Sequence, residues 1–255
     1  MRTLLSEFPK WPFFDKDEVE SATKILNSGK VNYWTGENGK NFEDEFAKYC
    51  NCNYGIALAN GTLALYLAYK SIGLRENDEF ITTPRTFIAT ASTGVILGAK
   101  PIFADVDINS GCITAQSIEP KITAATKAIV VVHLGGWPAD MEPILDLAKS
   151  KNIKVIEDCS QAHGAKINSK SVGCFGDVSA WSFCQDKIMT TGGEGGMVST
   201  NSKELYKTMW EFKDHGKNRK KMNNTEITSS FKSVSYTHRR CRRTRLWIAR
   251  WWPAQ

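Results

Sequence analysis

The sequence predicts an α/β fold: a mainly parallel sheet covered by helices on both faces. Three observations carry this. Short, near-continuous apolar runs recur along the chain and read as strands buried on both sides. Segments with helical spacing lie between them. Distinctive polar residues follow the ends of the apolar runs, where ligands sit in such sheets. With 255 residues, 42% of them hydrophobic, the chain can bury one sizeable core.

The elements follow in order. "DKDEVESATKILNSGK" (15–30) reads as a helix, with Asp15 as N-cap, Glu18 three positions later and Gly29 at the end. "YGIAL" (54–58) is a strand that runs into the helical "NGTLALYLAYKSIGL". "EFITTP" (79–84) precedes "TFIATASTGVILGA", and "KPIFADVD" (100–107) is apolar and then acidic. "KAIVVVHLGG" (127–136) leads into "PADMEPILDLAKSKN", which has proline in its first turn and apolar residues at helical spacing. "IKVIEDCS" (153–160), "DVSAWSF" (177–183) and "GMVST" (196–200) complete seven strand candidates. No internal repeat or low-complexity linker interrupts residues 1–226.

Composition excludes some classes. No run approaches the roughly 18 apolar residues of a membrane span. The N-terminus reaches acidic residues too early for a signal peptide. Seven scattered cysteines without CxxC pairs fit reduced thiols in the cytoplasm and no metal site. The net charge of +6 is carried by the end of the chain. After Glu226 there is no acid, while Lys232 and Arg239, Arg240, Arg242, Arg243, Arg245 and Arg250 follow. The rest of the chain is nearly neutral.

Five segments place polar residues at one edge of the predicted sheet: Asn60-Gly61-Thr62, Thr86-Phe87, His133, Asp158 with Gln161, and Ser182 with Lys187. At Asn60-Gly61-Thr62 a strand ends and a helix starts near Thr62, so free N–H groups and a hydroxyl make a phosphate site; a plain helix cap is the alternative. Asp158 ends an apolar strand and can face a positive charge, with Glu157 turned to the opposite side by strand alternation. Phe87 can cover a flat ring, or simply pack in the core. Lys187 stands between a strand and glycines 192, 193, 195 and 196, which permit a tight return and leave room for a ligand against backbone. A desolvated lysine becomes a nucleophile toward an aldehyde. A phosphate, a flat ring, a basic ring nitrogen and an aldehyde together describe pyridoxal 5′-phosphate.

"NGTLAL", "TPRTFIATASTGVILGAKPIFADVD", "TKAIVVVHLGGWPADM", "VIEDCSQAHGA", "VGCFGDVSAWSF" and "DKIMTTGGEGGM" occur in one ordered series from about Phe13 to Tyr236. This series resembles the DegT/DnrJ/EryC1/StrS family of pyridoxal-phosphate sugar aminotransferases. The resemblance implies the fold-type I large domain with a mainly parallel seven-stranded sheet. It implies Lys187 as the lysine bonded to the cofactor and Asp158 as partner of the ring nitrogen. Gln161 would contact the ring-oxygen side, Gly61, Thr62 and Ser182 would hold the phosphate, and Phe87 would stack on the ring. It also implies transfer of an amino group, usually from glutamate, to a nucleotide-linked keto-sugar, and a homodimer with shared sites. A dehydratase branch carries histidine at the lysine position, so Lys187 favours transamination.

One departure stands beside the resemblance. The family continues with a G-x-N-x-R-M-T-E segment and a smaller C-terminal domain, whereas "FKSVSYTHRRCRRTRLWIARWWPAQ" follows here. Residues 1–236 therefore read as the cofactor domain, and 237–255 as an aberrant, disordered Arg/Trp-rich tail from a shifted frame or damaged gene. The small domain is then expected to be missing and activity impaired. The alternatives are a non-catalytic remnant, or a binding module using its basic tail. No nucleic-acid or membrane partner is expected.

Overall fold

A computed structural model describes residues 11–217. The predicted tail, and the proposed boundary at residue 236, lie outside the described residues. The first predicted helix forms as α1 (Lys16–Ser28). Asp15 and Glu18 close a reciprocal capping box, with both bonds at 2.8 Å. Gly29 ends the helix in the left-handed region at φ 68°. No α1 residue is buried. Next comes α2 (Asn38–Tyr49), which the apolar pattern did not mark; only Glu43, Phe46 and Ala47 of it are buried.

All seven strand candidates form one sheet. In chain order the elements are β1 (Tyr54–Leu58), α3 (Gly61–Ser71), β2 (Glu79–Thr82), α4 (Ala89–Ile96), β3 (Lys100–Phe103), α5 (Ala115–Ile118) and β4 (Thr126–Val132). Then follow α6 (Met141–Lys151), β5 (Lys154–Asp158), the small hairpin β6 (Lys166–Ile167) and β7 (Lys170–Ser171), β8 (Val178–Ser182), β9 (Gly196–Thr200) and α7 (Lys203–Lys213). The strand order is β1-β9-β8-β5-β4-β2-β3. Pairings from β8 through β3 are parallel, while β9 runs antiparallel to both β8 and β1.

Two apolar runs stop earlier than predicted. The run at 100–107 is a strand only to Phe103, because Asp107 folds the chain into a turn by accepting the N–H groups of Asn109 and Ser110. The run at 127–136 leaves the sheet after Val132, and Gly135 and Gly136 take φ of 60° and 83°.

Strand alternation divides the core between the faces. Ala128 and Val130 of β4, Ile156 of β5 and Val178 and Ala180 of β8 pack with α3, α4 and α7. Ile129, Val131 and Val155 point the other way and pack with α5 and α6. Trp181, Phe183 and Met197 join Phe46 and Ala47 of α2 on that second side. Each such buried valine, isoleucine, methionine or phenylalanine contributes about 1.5–3 kcal/mol of transfer energy. That burial fixes the register, and with it the side of the sheet on which each polar strand-end residue emerges.

Candidate active site

Parity selects the residues of the site. Val132, Asp158 and Ser182 have the same parity as Val130, Ile156 and Ala180, so they share the face covered by α3 and α4. At the C-terminal ends of three neighbouring parallel strands they line a cavity of about 280 Å³. All seven residues predicted for the site, Gly61, Thr62, Phe87, Asp158, Gln161, Ser182 and Lys187, line it.

Helix α3 supplies one wall. Asn60 is its cap: the Asn60 side chain accepts the Leu63 N–H at 2.9 Å. The helix therefore starts one residue earlier than predicted, and the first amides, those of Gly61 and Thr62, have no intrahelical acceptor. Glycine is required at 61 by proximity, since a Cβ there would lie 2.7 Å from Ser182 Cβ. The helix N-terminus and the Ser182 hydroxyl are thus held against each other.

The glycines after Lys187 serve two purposes. Gly192 and Gly193 take φ of 88° and 137°, which β-carbon-bearing residues avoid. Gly195 and Gly196 make room for protein rather than for ligand. A Cβ on Gly196 would collide with the Asn60 carbonyl and lie 2.8 Å from the Gly61 nitrogen. The loop closes on itself through Phe183 N–H to Gly195 O and Gln185 N–H to Gly193 O, both 2.8 Å. Lys187 sits on its outer turn, its side chain 21% exposed, 3.4 Å from Asp186. An ion pair with so exposed an acid contributes at most about 1 kcal/mol, so it does not lock the amine.

Asp158 is buried. Its Oδ2 accepts the Thr90 hydroxyl at 2.7 Å, and its Oδ1 accepts the Ser160 N–H at 3.1 Å. Gln161 is oriented by the Gly135 N–H, which donates to its Oε1 at 2.8 Å. That leaves the Gln161 amide hydrogens for the cavity. The Phe87 ring is 66% exposed, so it is a wall of the cavity and not core packing.

One expectation changes. His133 does not reach the cavity. It follows Val132, so alternation sends it to the other face, where it is fully buried. There its Nε2–H donates to Glu157 Oε2 at 3.0 Å, and its Nδ1 accepts the Ala139 N–H at 3.1 Å. Glu157 lies opposite Asp158, as alternation requires, and is wholly buried. Burial alone would raise its pKa. The His133 hydrogen bond, with the Gly176 and Gly173 N–H groups, outweighs burial and holds it below the usual carboxylate range. Thr90, Asp186 and Glu194 also line the cavity without having been marked. The one signal available was the i, i+4 spacing of Thr86 and Thr90.

The residues fit pyridoxal 5′-phosphate. A buried carboxylate, an amine, an exposed aromatic face and a helix N-terminus beside a serine are the donor set that this cofactor requires. Fold and cavity define the class: the pyridoxal-phosphate aminotransferases with a seven-stranded, mostly parallel sheet. Within that class the chain belongs to the DegT/DnrJ/EryC1/StrS aminotransferase family, which it matches over residues 12–236. It is 46% identical over 208 residues to a GDP-perosamine synthase of Escherichia coli O157:H7, covering 80% of this chain and 56% of the relative. Among solved structures it is similar to an aminotransferase from Psychrobacter cryohalolentis, with TM-score 0.86 and 50% identity, over 88% of this chain and 57% of the other. It is also similar to the Bacillus subtilis protein NtdA "with bound cofactor pmp", with TM-score 0.75 and 31% identity, over 88% and 52% of the two chains. The chain thus spans about half the length of the relatives it matches. Among the described residues no helix is long and apolar enough to cross a membrane.

Proposed function

We propose that the protein transfers an amino group from an amino acid, glutamate by family resemblance, to the keto group of a nucleotide-linked sugar. The products would serve cell-surface polysaccharides or secondary-metabolite sugars. The observation that carries this reading is the presence of Lys187 and Asp158 in one cavity, beneath the exposed ring of Phe87 and beside the N-terminus of α3. When bound, the cofactor supplies an electron sink for breaking the bond at the donor's α-carbon.

The remaining work falls to the chain. The Gly61 and Thr62 amides and the Ser182 hydroxyl hold the phosphate. Asp158 keeps a proton on the ring nitrogen, and the Gln161 amide donates on the ring-oxygen side. Phe87 covers one ring face and excludes water from it. Lys187 Nζ would be the amine that holds the cofactor's aldehyde carbon and, once free, the base positioned for the proton on the donor's α-carbon. A dehydratase of the same family is disfavoured by the lysine at 187.

The reading extends to organisation. Residues 1–236 form the cofactor-binding domain, and the family match ends where the Arg/Trp-rich stretch begins. A homodimer is supported by the exposed apolar side chains of Phe87, Ile88 and Ile188, all close in sequence to the site residues. A cytoplasmic setting agrees with six free cysteines among the described residues.

Borohydride reduction of the cofactor-loaded protein tests the assignment. The cofactor should become fixed to a single peptide, that of Lys187, and Lys187→Ala should abolish labelling. Labelling of a different lysine in the wild-type chain overturns it.

A further inference from the structure

We propose that Thr90 is a positioning residue for the cofactor's ring nitrogen. With Thr86 behind it, Thr90 forms a one-way hydrogen-bond relay that orients the Asp158 carboxylate. This rests on the assignment of Asp158 to the ring nitrogen.

The direction of the relay follows from the hydrogen count. The Thr90 Oγ1 lies 2.7 Å from Asp158 Oδ2 and 2.7 Å from Thr86 Oγ1. A carboxylate only accepts, so the single Thr90 hydroxyl hydrogen goes to Asp158. Thr86 must then be the donor in the other contact. The relay runs Thr86 to Thr90 to Asp158, and each link polarises the next. Ser160 N–H occupies the other carboxylate oxygen. Both oxygens are thus anchored by the protein, and each keeps acceptor capacity for a ring N–H in the cavity.

The surroundings fix Thr90 itself, which is fully buried. The Tyr69 hydroxyl donates to the Thr90 carbonyl. Burial, reinforced by the negative charge of Asp158, pushes the Tyr69 phenol well above its usual range, so it stays a donor. Helix α4 also lies so near β2 that a Cβ on Gly94 would sit 2.5 Å from the Phe80 ring. The helix cannot slide without breaking these contacts. Thr90→Val keeps the shape and removes the hydroxyl, which is both the donor to Asp158 and the acceptor of Thr86.

The test is binding of two ligands to the full chain. One is pyridoxamine 5′-phosphate; the other is its analogue with carbon in place of the ring nitrogen. Thr90→Val should weaken the nitrogen-bearing ligand about tenfold, the cost of one charge-assisted hydrogen bond. Thr90→Ser should stay within about threefold of wild type, and the carbon analogue should bind alike to all three, since neither tests the missing donor. Equal weakening of both ligands, or of neither, overturns the relay. If Thr90→Val does not fold, Thr86→Val decides, with an expected loss of about threefold for the nitrogen ligand only. Asp158→Asn separates the two layers of the argument. If it leaves the preference between ligands unchanged, the Asp158 assignment fails and the relay falls with it. If it erases the preference while Thr90→Val does not alter it, the relay alone is wrong.

Discussion

Adjacent carboxylates in "VIEDC" reach opposite ends of buried-acid chemistry because of what donates to them. Glu157 receives His133 and the backbone N–H groups of Gly173, Phe175 and Gly176 at 2.7–3.0 Å, so its acceptor capacity is used up. It ties the 173–176 loop to β5 and is structural. Asp158 has two protein donors and an opening to the cavity. It is charged, aimed and incompletely satisfied, which suits it to hold a ring N–H. Asp158→Asn preserves its shape but not its charge, while the proposed phosphate contacts of α3 and Ser182 are untouched. Conversion of the loaded protein to the pyridoxamine form by glutamate should therefore slow by about tenfold or more, the scale of one lost charged hydrogen bond. Cofactor affinity should change less. Stopped-flow absorbance and equilibrium binding measure the two, and an unchanged conversion rate would remove Asp158 from this role.

At the scale of elements, the junction of α3 with β8 and β9 shapes the end of the cavity proposed to hold phosphate. Gly196 has ordinary backbone angles, and its hydrogen faces the Asn60 carbonyl, so Gly196→Ala must push the start of α3 off the sheet. Gly192 has φ 88° with nothing within 4 Å of a built Cβ, so Gly192→Ala meets only left-handed backbone strain. The expected costs are about 2–4 kcal/mol for Gly196→Ala and about 1–2 kcal/mol for Gly192→Ala. Chemical denaturation compares them, and cofactor affinity should fall only in the first. Equal losses would mean that contact at Gly196 does not decide the junction. The strands of this junction were legible in sequence because both faces are covered and their apolar runs are nearly continuous. Helices α2 and α7 were not marked, since burying three residues and two residues respectively leaves a sparse apolar pattern. That Gly61, Thr62, Phe87, Asp158, Gln161, Ser182 and Lys187 would line one cavity was legible from residue type at and after strand ends. His133 was misplaced because that position alone does not say which face a side chain takes; the parity of Val132 does. The donors around Asp158 and Glu157 come from segments far apart in the chain, which no local pattern displays.

In the whole molecule, acid acts on two groups on the face of the sheet opposite the cavity, the His163 ring with its buried nitrogens and the buried Glu157 carboxylate. Beneath the site, on the side of Trp181 and Phe183, His163 sits with its ring centroid 5.5 Å from each of theirs. Both of its ring nitrogens are buried without a hydrogen-bond partner among the described residues. Burial is the main cause that lowers its pKa from 6.5 to about 4, and the charge of Lys187 adds to it. The Ser182 backbone, beside the ring but outside hydrogen-bond geometry, opposes the shift. The folded protein thus binds this proton less readily than the unfolded chain. Stability is complete above about pH 6.5 and falls as pH drops from there toward 4, by roughly 3 kcal/mol at most. That is a large part of the 5–15 kcal/mol typical of a domain. Glu157 adds its own loss at lower pH, because its depressed pKa gives stability that disappears only below its ordinary value of 4.5. The windows are therefore separable. His163→Phe keeps a ring against Trp181 and Phe183 and removes the two unpaired nitrogens. It should leave stability at pH 7.5 unchanged or higher, and flatten the decline between pH 6.5 and 5. Denaturant titrations of both proteins at pH 7.5, 6 and 5 measure this. A variant that loses stability over that range as steeply as wild type would show that protons bound elsewhere govern the acid response.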